Sequence, residues 1–177
     1  LVSKLWRDAS KPAAAYPDTF DFDEDMEPIY CTLSMLDNDE ALSLPYERVV
    51  GLLGETAERV CGYAAMLGCV KLLKWARENN RDWSTHTCCC AAYNGHLPAL
   101  KYLHENGCPW NSKTCTSAAT NGHLHVLQYL HENGCPWNSY TCSNAAYYKR
   151  WDCLQYAVDN KCPEWETFAK EHANHLR

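Results

Sequence analysis

Gly95-His-Leu-Pro-Ala-Leu-Lys-Tyr-Leu-His-Glu-Asn-Gly-Cys-Pro-Trp110-Asn-Ser-Lys-Thr-Cys115-Thr-Ser-Ala-Ala-Thr-Asn121 is followed at once by a second version of itself. Gly122-His-Leu-His-Val-Leu-Gln-Tyr-Leu-His-Glu-Asn-Gly-Cys-Pro-Trp137-Asn-Ser-Tyr-Thr-Cys142-Ser-Asn-Ala-Ala146 repeats it at an offset of 27 residues. A step back by the same interval reaches Gly68, with Cys61, Ala64 and Ala65 matching Cys88, Ala91 and Ala92. A step forward keeps Leu154, Tyr156, Cys162 and Pro163 in register. A fixed period of this size marks stacked supersecondary units, each burying its apolar face on its neighbours.

One unit suffices to read the rest. Asn111 or Ser112 is placed to cap a first helix, and Asn121-Gly122 ends it, with Gly in the left-handed conformation. A second helix is predicted from about His123 to Asn133, with Leu124, Leu127 and Leu130 at helical spacing and Val126 broadening the face. Gly134 and Pro136 stop it. In the first helix Cys115, Ala118 and Ala119 recur in the neighbouring units as Cys88/Cys142, Ala91/Ala145 and Ala92/Ala146. Their i, i+3, i+4 spacing defines one face of small residues, which lets helices approach closely. The positions of 113, 116, 117 and 120 change from unit to unit. They read His86/Lys113/Tyr140, Cys89/Thr116/Ser143, Cys90/Ser117/Asn144 and Tyr93/Thr120/Tyr147. One side of the helix is therefore expected to be fixed by stacking and the other free to vary.

The repeat resembles the ankyrin family over about residues 55–177. Thr114-Cys-Thr-Ser-Ala-Ala119, Gly122-His123-Leu124, Leu127, Leu130, Gly134 and Asn138 fall on that family's pattern. The resemblance implies an all-α, right-handed solenoid of four to five helix-turn-helix units and a protein-binding scaffold with no catalytic residues. There are three departures. The units have 27 residues against about 33 in the family, and the deficit falls after Asn111 and Asn138, where the family carries a β-hairpin. Thr114 stands where the family has Pro. Cys-Pro-Trp replaces a small-acidic-aliphatic triplet. Almost no β-structure is expected, with short Cys-Pro-Trp-Asn-Ser turns in place of hairpin fingers.

The 177-residue chain has a net charge of −6 and twelve Cys. Residues 1–55 carry 4 basic and 12 acidic side chains, whereas residues 56–177 carry 12 and 10. Such a balance does not suggest nucleic acid as a partner. No apolar run reaches the roughly 18 residues of a membrane span. Cys61, Cys88, Cys115 and Cys142 hold one position in successive units, so they stand about a helix width, 8–10 Å, apart. A disulfide needs Cα atoms within about 7 Å, and tetrahedral zinc needs closer sulfurs still. The column reads as small buried apolar residues. With no Asn-x-Ser/Thr sequon, the sequence points to an intracellular, reducing compartment, cytoplasm or organelle. A chain that begins at Leu1 is expected to have been processed or trimmed.

Residues 1–30 read as an acidic extended arm. From Pro12 through Glu47 there is no Lys or Arg, and such a segment lacks the apolar surface to fold alone. Asp21, Asp23 and Asp25 alternate as in a calcium loop, but Met26 stands where the loop needs Gly and Thr32 where it needs Glu. The expectation is a solvated tail or a docking segment. Residues 31–54, including the helical stretch after Pro45, are expected to cap the open end of the array.

No Gly-rich phosphate loop, His-Glu-x-x-His or Gly-x-Ser-x-Gly is present, so neither an enzyme nor a cofactor is expected. Trp83, Trp110 and Trp137 are expected to plug the gap left by the missing hairpins, or else to form an aromatic ridge. His96 and His123 are expected to cap the second helices, and His104 and His131 to be solvated. The partner stripe predicted from the variable face is His86, Tyr93, Lys113, Thr116, Thr120, Tyr140, Asn144 and Tyr147, with the acidic arm as a second contact. Two other functions fit: a metal- or redox-responsive protein using Cys89, Cys90 and His86, and a structural subunit of a larger complex.

Overall fold

The computed structural model describes residues 57–176; the expected arm (1–30) and cap (31–54) lie outside them. Within that range the chain forms α1 (Ala57–Met66), α2 (Val70–Glu78), α3 (Thr85–Tyr93), α4 (Leu97–Glu105), α5 (Ser112–Asn121), α6 (Leu124–Glu132), α7 (Ser139–Tyr147), α8 (Trp151–Asp159) and α9 (Trp165–Glu171). Among the described residues there is no strand, in keeping with the missing hairpin. The odd-numbered helices pack on one another in sequence and form an inner row. Each even-numbered helix leans on the inner helix before it, and α2 meets α4 and α6 meets α8 in an outer row.

Small residues set the inner spacing. Cys61, Cys88, Cys115 and Cys142 are fully buried with Ala64/Ala65, Ala91/Ala92 and Ala118/Ala119. The outer row delivers bulk: Leu72, Leu73, Leu100, Leu103, Leu127, Leu130, Leu154 and Val126 are buried. Each such Leu is worth about 2 kcal/mol of transfer free energy, summed over an array in which every unit touches only its neighbours.

The unit boundaries lie where the sequence puts them. Asn111 caps α5: its Oδ1 accepts from the Lys113 amide at 3.0 Å, and its own amide donates to Thr114 Oγ1 at 3.4 Å. Thr114, the residue standing in for the family's Pro, thus supplies half of a capping box. The outer helices end on Asn79, Asn106, Asn133 and Asn160, each donating its side-chain amide to a carbonyl one turn back at 2.8 Å. The last helix, α9, begins a fifth unit. It has no buried side chain and presents Glu166, Lys170 and Glu171 to solvent.

Candidate partner-binding face

What separates one inner helix from the next is a column of hydrogen bonds rather than helix caps. His96 and His123 occupy the N-cap positions of α4 and α6, but neither side chain caps its helix. Instead His96 Nε2 lies 3.0 Å from the Met66 carbonyl and His123 Nε2 lies 3.0 Å from the Tyr93 carbonyl. A carbonyl only accepts, so each ring carries its proton on Nε2 and donates. In the next unit Arg150 does the same work, its Nε donating to the Thr120 carbonyl at 3.1 Å. The expected capping role is therefore corrected: these side chains reach 30 residues back and tie one unit to the last. The tie is tight enough that a Cβ on Gly95 would fall 2.6 Å from His123 Nδ1.

A second column lines the turns. The His104 ring stacks on Trp110 at 3.7 Å between centroids, and His131 stacks on Trp137 at 3.9 Å. Tyr129 and Tyr156 from the following units meet these stacks edge-on, and Tyr156 Oη lies 2.9 Å from His131 Nδ1. In the first unit the Arg77 guanidinium lies over Trp83 at 4.9 Å. The expectation that His104 and His131 are merely solvated is thus overturned. Trp83, Trp110 and Trp137 are half-buried against the core. The signal was present in the sequence, because Arg77/His104/His131 and Tyr102/Tyr129/Tyr156 also recur every 27 residues.

The variable positions divide by depth. Thr116 and Thr120 are only 7% and 3% exposed. Thr116 Oγ1 donates to the Ser112 carbonyl at 3.0 Å and Thr120 Oγ1 to the Thr116 carbonyl at 2.8 Å. Neighbouring inner helices flank them on both sides, which places both below the surface. Asn144 is half-buried and donates to Thr120 Oγ1 at 3.0 Å across to α5. The positions that reach solvent are at the helix ends. His86 and Lys113 are exposed in the first turns and Tyr93 is half-exposed in a last turn. Tyr140 is 66% exposed and Tyr147 77%, the exposed large hydrophobic side chains among the described residues. Tyr147 is braced edge-on by Tyr148 at 4.9 Å. The inner helices α3, α5 and α7 contain no acidic residue, whereas α2, α4 and α6 each end in Glu: Glu78, Glu105 and Glu132.

Cys89 and Cys90 do not form an activated site. Cys90 is buried, and burial, then the neighbouring Cys89, pushes its thiol up to about 12. Its Sγ lies 3.4 Å from His86 Nε2. Cys89 is half-buried, 3.5 Å from Thr114 Oγ1, and burial raises its thiol as well. A nucleophile needs the opposite shift. Among the described residues no three His, Cys, Asp or Glu side chains converge as a metal site would require.

Residues 88–131 match the family model described as ankyrin repeats (many copies). Over those residues the stack is built of ankyrin repeats. No curated protein matches the chain. Ankyrin repeats characteristically bind other proteins and are not typically enzymes, and this array departs from them in its shorter period and strand-free turns. No described helix is long and apolar enough to cross a membrane.

Proposed function

We propose that this ankyrin array is a scaffold that captures a protein partner on the exposed ends of its inner helices. The contacts are Tyr140 and Tyr147, extended by Tyr93, Asn144, Lys113 and His86. The observation that carries the reading is the exposure of Tyr140 and Tyr147, where the other large apolar side chains among the described residues are buried or half-buried. Tyr supplies contact area at small entropic cost and is enriched at binding hot spots. With no acid on α3, α5 or α7, the face favours a partner segment that brings its own carboxylates. The acidic stretch Asp18 to Glu27 is a second contact, suited to a basic patch on the same or another partner.

The test is affinity capture with the full chain, comparing wild type with Tyr93, Lys113, Tyr140 and Tyr147 all changed to Ala. A control carries Ala at Glu78, Glu105 and Glu132 on the outer row. The reading expects proteins retained by wild type and control to be lost from the face variant; undiminished capture by that variant contradicts it.

A further inference from the structure

The inner cysteines have partners in a second column. Cys108, Cys135 and Cys162 recur every 27 residues, each 20 residues after Cys88, Cys115 and Cys142. Their thiols donate to the carbonyls of Ser84, Asn111 and Asn138 at 3.4, 3.4 and 3.3 Å. In an α-helix the amide of residue i bonds the carbonyl of residue i−4, so these acceptors belong to the turn of Cys88, Cys115 and Cys142. Helical side chains lean toward the N-terminus, which brings the two sulfurs of a unit together. Cys115 Sγ lies 3.9 Å from the carbonyl of Cys135 itself. In each of the three units the second thiol is thus seated on the turn that carries the first. All six are free and buried. The first unit is a built-in control: Arg81 stands at the second position, so Cys61 has no such partner.

We propose that Cys88–Cys108, Cys115–Cys135 and Cys142–Cys162 are three dithiol sites that close to intrachain disulfides when a hydroperoxide oxidises the array. One sulfur of a pair attacks the peroxide O–O bond, giving a sulfenic acid and an alcohol, or water from hydrogen peroxide. The second sulfur then displaces the sulfenic hydroxyl, which leaves as water with the thiol proton. The two thiols lose two electrons and the peroxide gains them. Each closure encircles one outer helix, α4, α6 or α8, and staples the inner helix to the turn that starts the next unit. Closure waits on local opening, because the neighbouring Cys108 thiol and burial hold Cys88 protonated, and Cys135 and burial do the same to Cys115; in the third unit the roles reverse, with Cys162 raised and Cys142 lowered. The thiolate is the attacking form.

The full chain, native and reduced, is exposed to hydrogen peroxide, alkylated, proteolysed and mapped by mass spectrometry. The expected result is loss of six alkylatable thiols from the chain's twelve, with these three links predominant and Cys61, Cys69 and Cys153 still reduced. Cys108→Ser should remove the link to Cys88 and leave the other two. Links scattered over other cysteines, or pairs that close no faster than Cys61 is lost, would overturn the proposal. The wild-type map decides even if the variant does not fold.

Discussion

Two glycines of one repeat, Gly95 and Gly107, have nearly the same backbone angle, φ of +76° and +79°, yet belong to different parts of the molecule. Gly95 faces a junction between units, where His123 leaves no room for a Cβ. Gly107 turns between an outer helix and the next inner one, with nothing within 4 Å of a Cβ. One repeat earlier Asn80 holds the place of Gly107, and two repeats later Lys161 does, both left-handed without glycine, at φ +52° and +56°. Lys149 also holds the junction position left-handed, at φ +57°, so what distinguishes the junction at Gly95 is the His123 contact rather than the backbone angle. The same division runs through the inner helices: what touches the next unit is sealed, and what lies at the open ends is free to vary.

The largest effect should come from forcing the junction. Gly95→Ala combines left-handed strain with overpacking against His123 and should cost about 3 kcal/mol, whereas Gly107→Asn should cost no more than about 1 kcal/mol. Urea unfolding of the two variants measures the gap, and equal losses would erase the distinction between junction and turn.

Next comes the histidine tie. His123→Ala removes the donor to the Tyr93 carbonyl, but Asn121 Nδ2 also donates there at 2.7 Å, so the cost should be about 1 kcal/mol. Burial, more than any other cause, lowers the pKa of His123 below its ordinary 6.5. The folded value lies below the unfolded one, so the neutral ring's contribution is complete above about pH 6.5. It is lost as pH falls from there through the folded value. Wild type should therefore lose stability on acidification in this window, and His123→Ala should lose less. Parallel pH profiles from thermal unfolding would refute the tie as a source of the pH dependence.

Much of this architecture was legible in the sequence because the repeat is its own alignment. The Cys115/Ala118/Ala119 face, the Asn111 cap and the Gly122 stop follow from local chemistry, and all appear in the fold. The depth of the variable positions was legible only in part. Variation from Cys89 to Thr116 to Ser143 looks like freedom, but position 116 is buried between inner helices, where a short hydroxyl satisfies itself on its own backbone. Depth depends on how neighbouring units lean, which no single unit encodes. The ties of His96, His123 and Arg150 were missed for a related reason. They reach back 30 residues, beyond one period, and Arg150 hides the column by changing residue type.

The smallest effect on folding should fall on the exposed tyrosines, and there the central claim meets its most direct test. The double variant Tyr140→Ala/Tyr147→Ala is compared with wild type for both unfolding free energy and partner capture. Surface changes of this kind usually move stability by no more than about 0.5 kcal/mol. The account predicts stability within that margin together with loss of capture. Unimpaired capture, or a loss of stability like that of Gly95→Ala, would contradict it.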